Sequence, residues 1–276
     1  MRWSPRHPKR PRVIDAKGSV VVEQRDARPY QGNRVAVIAH YSTCAKASKS
    51  LNALARGLLE ADYRVVVSSG APVPEPLSFE DGVQGRLTVL RKPNIGYDFG
   101  SWAMAQAWDP SIQRAKHVIL TNDSLVGPFA PLREVLGRFE ASKADVYGMT
   151  STTQFGPHLQ SYFLGFNDAV LSEPALSRFW RSIRHERDKE VVIHRNEIGL
   201  GQLLRRKGFS QDAAFPYWRV VDKGLNPTIL GWQRLLEIGF PFVKRQILRT
   251  PEVAPNADQV PNVVRRLYGA EVREWL

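Results

Sequence analysis

The stretch Val35-Ala-Val-Ile-Ala39 decides the fold; it is a short apolar run followed directly by the polar residues His40-Tyr-Ser-Thr43. An apolar run of this length, bounded by turn-forming residues, is typical of a strand that is buried on both faces. Three later runs repeat the pattern: Arg64-Val-Val-Val67, Leu87-Thr-Val-Leu90 and Val118-Ile-Leu-Thr121. Because helical periodicity separates these runs, the sequence predicts an α/β domain with a mixed, mainly parallel sheet flanked by helices.

The strands become fewer and less regular towards the C-terminus. We expect further strands at 145–150 and 159–166, helices at about 170–186 and 197–207, and a helical C-terminal extension from about residue 225. The composition changes near residue 34, where a basic, proline-punctuated stretch gives way to the first apolar run. We therefore expect a basic leader over 1–33, which need not be ordered, and a single domain over 34–276.

Length and composition limit the class of protein. The chain has 276 residues, 43% of them hydrophobic, and a single cysteine, Cys44. This length suits one large domain or at most two, and one cysteine excludes a disulfide framework and a thiolate metal cage. No stretch approaches the ~18 consecutive apolar residues of a transmembrane helix, and no apolar run follows the basic N-terminus as in a secretory signal. We expect a soluble, cytoplasmic protein.

The positive charge is concentrated at the N-terminus. The formal net charge is +12, and residues 1–34 contain nine basic and three acidic residues, which is half of the excess. Such a leader suits peripheral contact with an anionic membrane, and the pairs Lys244-Arg245 and Arg265-Arg266 would add to it. A solvated tail is the alternative. Nucleic acid is not an expected partner, because the chain has no nucleic-acid-binding motif.

Candidate binding residues follow the strands. Sheets of this class bind ligands at the carboxyl ends of their strands, where the strand order reverses. The candidates there are Tyr41 and Ser69 after the first two strands, Asn94, Gly96 and Asp98 after the third, and Asn122 and Asp123 after the fourth. Neither GxGxxG nor a P-loop follows any strand, so we do not expect a standard dinucleotide or kinase-type phosphate site.

Two of these carboxylates have alternative interpretations. Asp123 at a strand end suits a divalent cation that would neutralise a diphosphate, but it equally suits an Asx turn. Asp98 precedes a helix, where it would contact a ribose, a base or a metal, cap the helix, or do both. Gly96 and Gly100 would permit a close approach of the backbone to a ligand.

Two further segments supply candidate side chains. Asn196 and Glu197 open the helix expected at 197–207, so Asn196 would be its N-cap and Glu197 its first residue. A carboxylate held ionised by the helix dipole suits a general base, and it also suits an ordinary helix N-terminus. In the strand expected at 159–166, His158 and Gln160 lie on one polar face that would line a pocket.

In combination, these motifs resemble the rhamnan synthesis F family, glycosyltransferases of bacterial cell-surface polysaccharides associated with rhamnose transfer. The motifs that carry the resemblance are Val35–Tyr41, Lys92–Trp102, Thr121–Phe129, His158–Phe163 and Asn196–Leu200. It extends from about residue 34 to about residue 250. It implies a GT-A-like, Rossmann-like fold with a nucleotide-sugar donor.

The resemblance also implies roles for individual residues. Asn94, Gly96 and Asp98 fall in the loop on the nucleotide side, with Tyr41 and Ser69 as further donor contacts. Asp123 falls in the metal motif, which here has one carboxylate instead of two, and would bind Mg²⁺ or Mn²⁺. Glu197 falls at the position of the base. Asn122, His158 and Gln160 would then contact the sugar or the acceptor.

We therefore expect transfer of a deoxyhexose, L-rhamnose from a dTDP donor, to a growing lipid-linked glycan at the cytoplasmic face of the membrane. One alternative is a catalytically silent nucleotide- or glycan-binding subunit of a polysaccharide assembly complex, which the single carboxylate at 122–124 keeps open. Another is a sugar-phosphate transferase, which would release a nucleoside monophosphate.

Overall fold

The computed structural model describes residues 10–26 and 33–276, which fold around one mixed β-sheet. The strands in these described ranges are β1 (Val21–Gln24), β2 (Arg34–His40), β3 (Arg64–Ser69), β4 (Thr88–Arg91), β5 (His117–Asn122), β6 (Leu125–Val126), β7 (Val146–Thr152), β8 (His158–Leu159), β9 (Phe163–Asn167), β10 (Gln211–Phe215) and β11 (Val243–Lys244). The central sheet has the order β1-β4-β3-β2-β5-β9-β7-β10, with β8 paired to β7. Strands β6 and β11 form a separate pair.

Strand directions confirm the predicted mixed, mainly parallel sheet. Strands β4, β3, β2 and β5 are parallel, and so are β7 and β10. Strand β9 is antiparallel to both β5 and β7, and β1 is antiparallel to β4. The chain proceeds from β2 outward to β3 and β4, then returns to form β5 on the other side of β2. The strand order therefore reverses between β2 and β5, which is where sheets of this kind bind ligands.

Helices connect the strands and form most of the C-terminal part. The α-helices in the described ranges are α1 (Lys49–Glu60), α2 (Tyr97–Trp108), α3 (Arg133–Ala141), α4 (Pro174–Arg181), α5 (Lys189–Val192), α6 (Gly199–Arg206), α7 (Pro227–Leu230), α8 (Trp232–Glu237), α9 (Arg245–Arg249) and α10 (Val260–Tyr268). A π-helical stretch, Ile193–Ile198, joins α5 directly to α6. Shorter 3₁₀ turns include Val13–Ser19 and Tyr217–Arg219.

The sheet is buried on both faces, which explains its continuous apolar runs. Alternate residues of β2 enter different clusters: Ile38 packs with residues of α1 and α3, while Val37 packs with residues of α2 and α4. A third cluster joins β6 and β11 to the C-terminal helices, with Trp232 fixed by a hydrogen bond to the carbonyl of Pro255. The short strand β11 within this helical part was not predicted.

Part of the predicted leader belongs to the folded domain. Val13 is fully buried among residues of α2 and α4, and β1 extends the sheet at its edge. The boundary at residue 34 was therefore wrong for residues 10–26, since Glu23 and Gln24 follow the short apolar run of this half-exposed edge strand. Residues 1–9 and 27–32, with four of the nine basic residues of 1–34, lie outside the described residues.

Three described basic residues of this segment, Arg10, Arg12 and Arg25, contact acidic or aromatic groups. Arg10 forms an ion pair of 3.1 Å with Glu186, and Arg25 lies over the ring of Trp108. Contact of the leader with a membrane stays a prediction. Among the residues the structure describes, no helix combines the length and the apolar character needed to cross a bilayer.

We expect Val13→Ala to lower the free energy of unfolding by about 1.5–3 kcal/mol, because it removes buried methyl groups and leaves a cavity. Val13 is 0% exposed, whereas Val21 in the same segment is 59% exposed. Val21→Ala is therefore the matched control and should change stability by less than about 0.5 kcal/mol. Urea unfolding of both variants measures the difference, and equal effects would show that residues 10–26 do not stabilise the domain.

Candidate functional site

Polar side chains meet where the strand order reverses. His40 ends β2, and its Nδ1 lies 3.0 Å from the hydroxyl of Ser69 at the end of β3. Its Nε2 lies 3.7 Å from a carboxylate oxygen of Asp123, the residue that follows β5. Burial, helped by the charge of Arg91, lowers the pKa of His40 to about 4, so this imidazole is neutral at physiological pH. His40 and Ser69 thus form one wall of a crevice that contains Asp123.

The Asx turn after β5 is made by Asn122. Its Oδ1 accepts hydrogen bonds from the amide of Ser124 at 3.1 Å and from the Ser124 hydroxyl at 2.6 Å. Its Nδ2 donates to Oδ2 of Asp98 at 2.6 Å. Because Asn122 closes the turn, the carboxylate of Asp123 stays partly exposed and accepts a hydrogen bond from the backbone of Tyr41.

Asp98 enters the crevice from the first turn of α2. The N-cap of this helix is Gly96, with φ of 76°, so Asp98 lies inside the helix and is not its cap. A Cβ on Gly96 would lie 2.6 Å from Val13, and one on Gly100 would lie 2.3 Å from the carbonyl oxygen of Ile95. Packing within the protein therefore accounts for both glycines. Contact of Gly96 with a ligand stays a prediction.

The environment raises the pKa of both aspartates. Burial raises the pKa of Asp123 to about 7, and the charge of Asp98 adds to this while Arg245 opposes it. Burial raises the pKa of Asp98 to about 6; the carboxylate of Glu197 adds to this, and the hydrogen bond from Asn122 opposes it. Ionisation of both carboxyl groups in this crevice is therefore unfavourable, and binding of a cation or a proton by them is favoured.

Four cations lie around these carboxylates: Lys92, Lys189, Lys244 and Arg245. Burial lowers the pKa of Lys92 to about 8, and its Nζ donates to the carbonyl of Pro93 at 2.9 Å. Burial also lowers the pKa of Lys244, against the attraction of Glu197 and Asp98. The site therefore offers both signs of charge within one crevice.

Lys244 and Arg245 were missed as site residues and assigned only to a basic surface pair. Lys244 pairs with Leu125 across β6 and β11, and the amide of Arg245 donates to the carbonyl of Ser124 at 3.1 Å. This short pairing brings the two cations beside Asp123, some 120 residues earlier in the chain. A two-residue strand has no periodicity, so the sequence contained no signal for this contact.

The prediction that Asn196 caps the helix and that Glu197 is its first residue is wrong. The helix begins at Lys189, where the side chain of Asp188 accepts a hydrogen bond of 2.8 Å from the amide of Glu190. Asn196 and Glu197 lie in the π-helical stretch. A π-helical stretch interrupts the α-helical spacing of the apolar residues. The regular spacing is therefore visible in the sequence only from about residue 197, where the helix was predicted to begin. Such stretches occur frequently at functional sites.

Glu197 faces the crevice and is held by the segment between β8 and β9. Its Oε1 accepts a hydrogen bond of 2.7 Å from the amide of Ser161, and Nε2 of His158 lies 3.9 Å from the same oxygen. Nδ1 of His158 lies 2.8 Å from the carbonyl of Gly156, which fixes the ring. His158 is therefore placed to orient Glu197.

The single strand expected at 159–166 is two short strands, β8 and β9, separated by Gln160, Ser161 and Tyr162. Gln160 is buried and its amide is occupied within the protein. Its oxygen accepts from Thr150 at 2.7 Å, and its nitrogen donates to Asn226 at 3.1 Å. The structure thus gives Gln160 a structural role and does not place its amide in the crevice.

The remaining predicted donor contacts differ in accessibility. Tyr41 is exposed beside Asp123, and Asn94 is exposed and packs against Gly70. The Ser69 side chain is fully buried, where it contacts His40 and accepts a hydrogen bond from the amide of Ala71. Ser69 therefore supports His40, while Tyr41 and Asn94 are open to a ligand.

Comparison with known proteins connects this crevice with a family. A family model described as rhamnan synthesis protein F matches residues 84–270. The chain belongs to the rhamnan synthesis protein F family. The matched region of this family member includes Asp98, Asp123, Glu197 and Lys244, and the family predicted from the sequence motifs is confirmed.

Two curated relatives match this rhamnan synthesis family member at low identity. The virulence protein VirA of Vibrio anguillarum is 26% identical over 208 residues, which cover 62% of this chain and 67% of the relative. An uncharacterized protein, y4gN, of Sinorhizobium fredii is 32% identical over 127 residues, which cover 44% of this chain and 33% of that protein. Family membership relates the chain to polysaccharide synthesis.

Proposed function

We propose that this chain is a GT-A-like glycosyltransferase that transfers a deoxyhexose, L-rhamnose from a dTDP donor, to a growing lipid-linked surface polysaccharide. The observation that supports it most is the meeting of Asp98, Asp123 and Glu197 with four cations where the strand order reverses. A nucleotide-sugar donor has a diphosphate, which needs positive charge, and its acceptor hydroxyl needs a base. The rhamnan synthesis family supports the choice of sugar.

In the proposed reaction, Glu197 accepts the proton of the acceptor hydroxyl as that oxygen bonds to the anomeric carbon of the donor. The bond from this carbon to the diphosphate breaks, and dTDP leaves with the electron pair. Lys244 and Arg245 stabilise the charge that develops on the departing diphosphate. The hydrogen bond from Ser161 and the nearby His158 keep the Glu197 carboxylate oriented towards the acceptor.

Asp123 is the proposed ligand for Mg²⁺ or Mn²⁺, which would neutralise phosphate charge when bound. Among the described residues, no three His, Cys, Asp or Glu side chains are grouped as a metal site. One or two carboxylates with substrate phosphates are a usual environment for Mg²⁺. The residues at Asp123 and Asp98 thus fit a cation that binds together with the donor.

A catalytically silent, nucleotide- or glycan-binding subunit is the second candidate, favoured by the single acidic residue of Asn122-Asp123-Ser124. A silent subunit that binds nucleotide would also bind dTDP, but only the glycosyltransferase releases dTDP in the presence of an acceptor. Peripheral contact with an anionic membrane would bring either protein to a lipid-linked glycan.

Nucleotide binding is tested by thermal shift with dTDP, UDP, GDP and CMP, each with and without Mn²⁺. A ligand at 100 times its Kd adds about 2.7 kcal/mol to the stability, and we expect dTDP to give the largest shift. Lys244→Ala should weaken dTDP binding about tenfold, because it removes a cation from the diphosphate site. Lys223→Ala, an exposed lysine outside the crevice, is the matched control and should bind dTDP as the wild type does.

Absence of a shift with every nucleotide would contradict the proposed donor site. A shift that Lys244→Ala and Lys223→Ala leave equally unchanged would place nucleotide binding elsewhere on the protein. Release of dTDP from dTDP-rhamnose with an acceptor, followed by chromatography, then separates the enzyme from the silent subunit.

A further inference from the structure

A cavity of about 210 Å³ lies beside β10 and the 3₁₀ turn that follows it. Its wall includes the side chains of Asp212, Arg205 and His158, together with Tyr217 and Trp218 from the turn. It is separate from the crevice that contains Asp98 and Asp123. None of the roles assigned so far explains this combination of aromatic, acidic and basic groups around one small cavity.

Trp218 is unusually exposed for its size, and the turn that carries it is anchored to the sheet. The residue is 67% exposed, and its ring meets that of Tyr217 edge-on, with the centroids 5.5 Å apart. The amide of Tyr217 donates to the hydroxyl of Ser151 at 3.2 Å, which fixes the turn to β7. Exposure of so large an apolar surface to water is unfavourable, and here the exposed indole lies beside a second aromatic ring in the wall of a cavity, which suggests a ligand that covers it.

The lining suits a sugar ring. A pyranose has an apolar face of C–H groups that packs on an aromatic ring, and hydroxyl groups at its rim that need hydrogen-bond partners. Trp218 would supply the apolar surface, while Asp212 and Arg205 would supply an acceptor and donors. A 6-deoxyhexose adds a methyl group to the apolar surface. The cavity is smaller than the ~300–1,000 Å³ typical of drug-sized ligands, which suits a single monosaccharide unit.

The position of the cavity connects it with Glu197. His158 lines the cavity, and its Nε2 lies 3.9 Å from Oε1 of Glu197. Helix α6 contacts this histidine closely, because a Cβ on Gly201 would lie 2.8 Å from Cβ of His158. The side chain of His158 therefore lies between the cavity and the proposed base, which places the cavity next to the proposed reaction centre.

We infer that this cavity is a subsite for a 6-deoxyhexose unit of the acceptor glycan, with Trp218 as its stacking platform. The inference rests on the proposed function, because it gives the acceptor of that reaction a chemical class and a position. Trp218 contacts a sugar unit away from the reacting bond and is a binding residue, not a catalytic one.

The test is a titration of the full-length protein with methyl α-L-rhamnopyranoside, followed by saturation-transfer NMR and calorimetry. Trp218→Ala should weaken binding at least tenfold, and Asp212→Asn should weaken it several-fold. Phe155→Ala is the matched control, since Phe155 is 66% exposed but does not line the cavity. It should leave binding within twofold of the wild type. Methyl α-D-glucopyranoside should bind more weakly than the rhamnoside.

Binding of the rhamnoside that Trp218→Ala and Phe155→Ala leave equally unchanged would overturn the assignment, and so would equal affinity for the glucoside. If dTDP shifts the melting temperature but no rhamnoside binds, the subsite is refuted and the proposed donor site survives. If neither ligand binds, the proposed function fails as well. Thermal unfolding of each variant shows that the exposed substitutions leave the fold intact.

Discussion

Glu197→Gln is expected to lower the turnover of rhamnosyl transfer by about 10²–10⁴-fold, the contribution of a positioned general base. The substitution keeps the shape of the side chain and an oxygen that accepts the hydrogen bond from the Ser161 amide. It removes only the ability to take a proton. Release of dTDP from dTDP-rhamnose in the presence of an acceptor measures the loss, and dTDP binding in the thermal-shift experiment should stay unchanged.

Glu190→Gln is the control for this substitution. Glu190 is the second residue of α5, which continues through the π-helical stretch to Glu197; it is exposed, and its amide is bound to the cap Asp188. Its replacement should leave turnover within twofold of the wild type. Turnover that survives Glu197→Gln would remove Glu197 as the base, and a loss of dTDP binding in that variant would give it a structural role instead.

Asp123→Asn is expected to stabilise the metal-free protein by about 1–3 kcal/mol at pH 8 and by progressively less towards pH 5. The pKa of Asp123 is raised from 3.8 to about 7 in the folded protein. Between these values the folded state binds more protons than the unfolded state, so the stability of the wild type falls as pH rises and becomes constant above about pH 7. One pKa unit corresponds to ~1.4 kcal/mol, and partial exposure of the carboxylate reduces the total.

Urea unfolding in EDTA between pH 5 and pH 8 measures this effect. Asp222→Asn, the same substitution at an exposed aspartate outside the crevice, should change stability by less than about 0.5 kcal/mol at every pH. If the difference in unfolding free energy between Asp123→Asn and the wild type does not grow with pH, the pKa of Asp123 is not raised in the folded protein. The stability gained would come with weaker dTDP binding in the presence of Mn²⁺, because the proposed metal ligand is lost.

The sequence predicted most of the longer buried strands and missed the partly exposed strands β1 and β10 and the two-residue strands β6 and β11. Val35–Ala39 was found because it is apolar throughout, and β2 extends it by one residue at each end. Strand β10 begins with Gln211 and Asp212, and the valines of β1 are followed by Glu23 and Gln24, so polar residues interrupt the short apolar run in each strand. Edge strands that depend on a neighbour for their stability have a weak pattern of their own.

The sequence indicated which side chains lie at the carboxyl ends of the strands. Asp123 and Asp98 meet because parallel strands and their following loops end at one edge of the sheet. Lys244 and Arg245 reach the same crevice through the pairing of β6 with β11, which only the folded chain shows. His158 was found as a pocket residue, but the break between β8 and β9 that directs it towards Glu197 was not.

The π-helical stretch between α5 and α6 determines the direction in which two side chains point. In an α-helix each residue rotates the chain by about 100°, so residues eight positions apart diverge by about 80°. Where a wider turn absorbs one residue, the same two positions are separated by seven α-helical steps and diverge by only about 20°. Lys189 and Glu197 are eight positions apart, and both charges act on Asp98. A wider turn of this kind thus helps a single continuous helix to carry both a cation and a carboxylate whose charges act on Asp98.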